Sequence, residues 1–289
     1  MTLPVYPGLS AIAAAYDGFI LDLWGVIHDG TTPYPGVVNT LKALKAAGKR
    51  VLILSNAPRR AQVLIDGLTG MNIARDLYGP VMSSGEAVRD ELESRADPAF
   101  AKLGTRLYHL GPPRDRNIFD GLAGIVESDL ASAHFVLNTG PIEFDHQVAD
   151  YEDVLSKAAA RPLPMVCANP DRVVVRQGKM VICAGALADR YRELGGVVID
   201  RGKPDPAIYR TCLAKLGVPA AHVLVVGDSL ETDIAGGLNA GLDCVMVAGG
   251  VHREALGIPW GAMPDPEKVT ALATRHHRMP KAVIPAFVW

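Results

Sequence analysis

The stretch FILDLWGV, residues 19–26, carries an apolar run that stops on an acid, Asp22, and turns within three residues at Gly25. Outward from it, VVNTLKALKAAG from Val37 has the spacing of an amphipathic helix, and RVLILS at 50–55 is a second apolar run. Near-continuous apolar strands joined through helices predict a parallel sheet covered on both faces. The rhythm returns late in the chain. VVID at 197–200, a helix after Pro204, HVLVVGD at 222–228, a helix from Leu230 and DCVMVAG at 243–249 read as strands and helices of the same sheet. The expected fold is therefore α/β, a Rossmann-like doubly wound parallel sheet. Residues 1–86 and 197–289 supply this sheet, and the less regular 87–196 form an inserted α/β domain. The C-terminal HHRMPKAVIPAFVW is apolar enough to pack on the core as a docked tail.

The 289 residues include 49% hydrophobic and 21% charged positions, a globular rather than disordered profile. Lys plus Arg number 29 against 31 Asp plus Glu, without long runs of either sign, so neither nucleic acid nor a membrane surface is an expected partner. A small molecule fits better. Cys167, Cys183, Cys212 and Cys244 are far apart and read as buried thiols of a reducing compartment. The N-terminal segment lacks the pattern of a secretory signal, and the expected location is the cytoplasm.

In an open parallel sheet, ligands bind beyond the C-terminal strand ends. Four polar groups of residues fall there: Asp22 after the first strand, Ser55-Asn56 after the second, Lys203 before the helix at Pro204, and GDSLETDI with Asp228 and Asp233. This set suits phosphoryl transfer from a monoester. A carboxylate can attack phosphorus and split one displacement into two easier ones, and Asp22 fits that role. Asp22 and Asp228 suit a hard divalent cation such as Mg²⁺, needed where carboxylates meet a dianionic substrate. Lys203 can neutralise the nucleophile and the phosphoryl oxygens, which the Ser55 hydroxyl and neighbouring backbone N–H groups hold.

The succession DLWGV, LSNAP, GKPDP and GDSLETDI resembles the four motifs of the haloacid dehalogenase superfamily. The insertion, with Asn169-Pro170-Asp171 and Gly-Ala-Leu-Ala at 185–188, is similar to the class II type A cap of its subfamily IIA, the p-nitrophenyl phosphatase and sugar-phosphatase-like branch. That resemblance implies a hydrolase of a small phosphorylated metabolite, with Asp22, Ser55 and Lys203 catalytic. It implies Mg²⁺ held by Asp22, the Trp24 carbonyl and Asp228, with Asp233 as a direct or supporting acceptor. Gly25, Asn56, Asn169 and Asp171 are the implied substrate contacts, and a homodimer through the cap is the implied assembly. Asn-Pro-Asp is equally a good turn sequence.

One position departs from the pattern. Phosphatases of this superfamily carry a second Asp two residues after the nucleophile, which protonates the leaving alcohol; here it is Trp24. A positioned acid or base is worth about 10²- to 10⁴-fold. Two alternatives follow from Trp24: a dehalogenase, which carries an aromatic residue there, or a protein that binds a phosphorylated ligand without turning it over. The Asp228–Asp233 pair disfavours the first, since unshielded carboxylates repel a carboxylate substrate. His28 and Asp29 could replace the missing acid or simply form a polar turn. Arg59 and Arg60 could meet an anionic substrate or end a solvated helix, Glu86 reads as a helix start, and Gly249-Gly250 as a turn.

Overall fold

In a computed structural model, which describes residues 2–176 and 179–289, two parallel sheets carry the chain. The larger has strands β1 (Gly18–Leu21), β2 (Arg50–Ser55) and β3 (Val81–Ser83) on one side. After the insertion, β11 (Val223–Gly227), β12 (Asp243–Val247) and β13 (Ala282–Ile284) complete it in the order β13-β12-β11-β1-β2-β3. Each strand is buried on both faces, and the alternation of its side chains shows how. Phe19 and Leu21, Val51 and Ile53, and Leu224 and Val226 enter one apolar cluster with the helices Val37–Ala46 and Ala61–Gly70. Ile20, Leu52, Leu54, Val223 and Val225 enter another with the helices Pro206–Leu216 and Pro266–Arg275. Strand order reverses at β1, which lies between β2 and β11, so the crevice of an open α/β sheet opens just where Asp22 begins.

The insertion forms its own sheet. β4 (Arg106–Leu110), β5 (Val126–Glu127), β6 (Phe135–Asn138), β7 (Met165–Cys167) and β10 (Val198–Asp200) run parallel in the order β10-β7-β6-β4-β5. An antiparallel hairpin, β8 (Val173–Arg176) and β9 (Lys179–Ile182), stands apart from it. Here too alternate side chains divide between two clusters, Val136 and Met165 in one, Phe135, Leu137 and Val166 in the other.

Two expectations change. The VVID run was expected in the main sheet, but Val198–Asp200 pairs with Met165–Cys167 as an edge of the inserted sheet. Its half-exposed residues fit an edge, and pairing is decided by distant strands rather than by the run itself. The return to the main sheet thus comes after Asp200 rather than at 196–197. The C-terminal segment is more than a docked tail: Ala282–Ile284 pairs with β12 as the last strand of the main sheet. At the other junction the helix Ser84–Ser94 faces both ways, with Ala87 against the main core and Val88 and Leu92 in the inserted one. Its start fits the reading of Glu86, whose N–H donates to the Ser83 hydroxyl at 2.9 Å.

Gly202, with φ near 129°, carries the chain back between the two layers, and a Cβ there would lie 2.1 Å from Ser84 Oγ and 2.5 Å from Asn56 Oδ1. Strain at such a backbone position is of order 1–3 kcal/mol. Gly202→Ala is therefore expected to lower unfolding stability by about 2 kcal/mol or more in urea denaturation. A midpoint equal to wild type would show that the junction has slack.

Candidate active site

The β1, β2 and β11 ends and the segment at Lys203 meet at one buried charge cluster. The Lys203 ammonium donates to Asp22 Oδ1 at 2.5 Å and to Asp233 Oδ1 at 2.7 Å. Lys203 and Asp233 are only 3% and 2% exposed, so neither charge is shielded by water. Asp228 joins them: one carboxylate oxygen each from Asp22, Asp228 and Asp233 lie within 4.8 Å of one another. Asp228 Oδ2 accepts the Val251 N–H at 2.7 Å, and Asp233 Oδ2 accepts that of Ser229 at 3.1 Å. Asp22 Oδ2 accepts no hydrogen bond among the described residues.

Burial, then the charge of Asp233, pushes the Asp22 carboxyl up to about 7, while Lys203 restrains the rise. Burial and the charges of Asp22 and Asp233 likewise push Asp228 well up. Burial alone would lower the Lys203 ammonium, but Asp22, Asp233 and Asp171 more than reverse this and hold it charged. At ~5 Å and an effective dielectric of ~20, each like pair costs about 3 kcal/mol. With all three carboxylates ionised, the one ammonium leaves a net charge of −2 in the cluster, which one divalent cation cancels. The all-oxygen donor set fits a hard cation such as Mg²⁺. The Trp24 carbonyl, which accepts no hydrogen bond among the described residues, is a further oxygen on the same loop. The loop comes this close only because residue 25 is glycine: with φ near 78°, its Cβ would stand 1.9 Å from Asp228 Oδ2.

Every residue expected at the site lines one cavity of about 1040 Å³ between the two sheets, but not all in the expected role. Ser55 is there, its Oγ accepting the Ala57 N–H at 3.2 Å. Asn56 is not a free substrate contact. Its Nδ2 donates to Asp171 Oδ1 at 2.8 Å and to the Lys203 carbonyl at 3.0 Å, and its Oδ1 accepts from Lys203 N–H and the Ser84 hydroxyl. All its capacity goes into tying the second strand, the lysine segment and the insertion together. Asn169 Oδ1 accepts the Asp171 N–H at 3.1 Å, so Asn-Pro-Asp is a turn and also places Asp171 at the cavity.

The candidate replacement acids are tied into the turn. His28 is buried, its Nδ1 accepts the Gly30 N–H at 2.9 Å, and burial lowers its imidazole to about 4, so it carries no spare proton near neutrality. Asp29 Oδ1 accepts the N–H groups of Thr31 and Thr32, which outweigh the effect of burial and hold it ionised. Both belong to the turn. The Trp24 ring meets that of His28 edge-on at 5.3 Å. Arg60 is taken by Glu86 at 2.8 and 2.9 Å, and Arg59 by Asp115 of the insertion at 2.8 Å. Gly249-Gly250 is a turn, but one that delivers Val251 N–H to Asp228; nothing local in the sequence marks that role. No described helix is long and apolar enough to cross a membrane, and all four cysteines are buried and free.

Residues 19–123 match the model described as haloacid dehalogenase-like hydrolase, and residues 200–271 a HAD-hydrolase-like model. The crystal structure of a haloacid dehalogenase-like family hydrolase from Brucella suis 1330 is 30% identical, with a TM-score of 0.83, over 97% of this chain and 99% of that one. Chronophin of Bos taurus is 28% identical over 262 residues, 84% of each chain. Acid sugar phosphatase of Staphylococcus aureus is 23% identical over 239 residues, 82% of this chain and 88% of its own.

The raised carboxyls set a pH dependence. A group whose folded pKa lies above its unfolded value stabilises below the unfolded value and loses that contribution as pH rises through the folded one. For Asp22 the loss runs from about 3.8 up to about 7. Without divalent cation this contribution should fall over that window, and Mg²⁺ should raise the melting temperature more at pH 8 than at pH 5. An equal or smaller shift at pH 8 would contradict cation binding by these carboxylates.

Proposed function

Since the chain belongs to the haloacid dehalogenase-like hydrolase family, we propose that it is a Mg²⁺-dependent phosphomonoester hydrolase working through an aspartyl-phosphate at Asp22. The observation that carries this reading is the Lys203 ammonium locked between Asp22 and Asp233 with Asp228 alongside. The similarity to a staphylococcal acid sugar phosphatase agrees with it. A protein that only binds its ligand gains nothing from a carboxylate with one oxygen left bare beside such a cluster.

Asp22, Asp228 and the Trp24 carbonyl would hold Mg²⁺, with Asp233 supporting them. When bound, the ion supplies charge neutralisation that lets a dianionic ester approach. Asp22 Oδ2 attacks phosphorus, the P–O bond to the alcohol breaks, and the bond electrons leave with the oxygen. Water then attacks phosphorus of the aspartyl-phosphate, releasing inorganic phosphate and restoring Asp22. An ammonium has three donors. Two of those of Lys203 are held by Asp22 and Asp233, leaving one for a phosphoryl oxygen, while Ser55 is placed to bind another. Asp171, fixed by Asn56, would face the substrate from the insertion, which acts as a cap.

The positions expected to supply a proton to the leaving oxygen do not do so. Trp24 cannot give one, and His28 and Asp29 are committed to the turn. The chain should therefore favour leaving groups that depart as anions, such as aryl or acyl phosphates, over alkyl phosphates. Asp22→Asn should abolish hydrolysis of p-nitrophenyl phosphate in Mg²⁺; full activity in that variant would refute the nucleophile. Trp24→Asp should raise turnover of alkyl phosphates by up to about 10²-fold and that of aryl phosphates by less. A wild type that cleaves both equally fast would mean that another donor reaches the leaving oxygen.

A further inference from the structure

The cavity is much larger than a phosphoryl group requires. Pockets of roughly 300–1,000 Å³ hold whole drug-sized ligands, and this one measures about 1040 Å³. Its lining includes six arginines, and three of them are spent within the protein. Arg59 is paired with Asp115, Arg172 with Asp189, and Arg192 with Asp189 and Asp200.

Arg114 and Arg176 differ. Among the described residues neither guanidinium forms a salt bridge or a side-chain hydrogen bond. Instead, both lie over the ring of Phe144, with Cζ 4.8 and 4.0 Å from its centroid, and all three residues line the cavity. Phe144 is 42% exposed, so the ring is a platform rather than part of a core. Burial and then the charges of Arg59 and Arg176 depress the Arg114 guanidinium, only partly offset by Asp115 and Glu143. Asp115 is already engaged by Arg59. Two cations stacked on one ring, within reach of each other's field, are an unfavourable arrangement for the free protein. Contact with the ring leaves guanidinium N–H groups without protein partners, and these donors suit carboxylate or phosphate oxygens.

We propose that Arg114 and Arg176, held by Phe144, form a cap subsite for a second anionic group, so that the preferred substrate is a phosphomonoester with a carboxylate or another phosphate at its far end. The proposal deepens the phosphohydrolase reading and rests on it for the position of the first phosphate.

The test is calorimetric, so that it does not depend on turnover. In Mg²⁺, the full chain carrying Asp22→Asn is titrated with glucose 6-phosphate, 6-phosphogluconate and glucose 1,6-bisphosphate. These share one phosphate position and end in a neutral ring, a carboxylate or a second phosphate. Loss of one charge-assisted hydrogen bond is worth about 10-fold in affinity. At least one of the two doubly anionic ligands should bind about 10-fold or more tightly than glucose 6-phosphate, and which of them does so identifies the anion. The advantage should shrink in R114Q and in R176Q and vanish in R114Q/R176Q, whose folding is checked by circular dichroism. Equal binding of all three ligands, or a preference that survives both substitutions, would overturn the subsite. Failure of the wild type to hydrolyse any phosphomonoester would instead count against the phosphohydrolase reading, and the calorimetric comparison would still decide the subsite.

Discussion

Everything around the site answers to one constraint: three carboxylates and one lysine share a space from which water is nearly excluded. An isolated buried charge is too costly to persist, and a buried pair repays its desolvation only when its remaining hydrogen bonds are satisfied. Lys203 meets this condition in part, with two short bonds and one donor to spare, and Asp228 and Asp233 each accept a backbone N–H. One oxygen each of Asp22 and Asp228 accepts no hydrogen bond among the described residues. The surplus negative charge makes the pocket receptive to a divalent cation, and the bare Asp22 oxygen is the one proposed as nucleophile.

The same constraint couples the two layers. Lys203 lies on the segment that returns from the inserted sheet, so its position depends on where that sheet sits. Asn56 spans the junction, reading the backbone of Lys203 on both its N–H and its carbonyl while holding Asp171. Arg59 and Asp115 make a second tie. Through the saturated amide of Asn56 the insertion is tied directly to the segment that carries Lys203.

Much of this was legible in the chain because the signals are local. An apolar run that ends on Asp22, Ser55 or Asp228 marks a strand end whatever its neighbours are. Asp22 and Asp228 follow from strand ends, and the family resemblance added Lys203 and Asp233 to them. What escaped depends on distant partners. Val198–Asp200 reads as a strand, but only Met165–Cys167 decides which sheet it joins. Asn56 reads as a substrate contact until its four partners are in place. Val251 contributes only its backbone N–H, which no side-chain pattern announces. Arg114, Phe144 and Arg176 come from separate cap segments, so their meeting has no signature in sequence.

The central claim is that Asp22 forms the covalent bond to phosphorus. Acetyl phosphate radiolabelled at phosphorus, a substrate whose leaving group needs no proton, can be mixed with the full chain and Mg²⁺ and quenched in acid within the first turnover. The account predicts a protein-bound label that hydroxylamine releases and that maps to the peptide containing Asp22. Label on any other residue, or rapid hydrolysis with no labelled protein at any quench time, would contradict it.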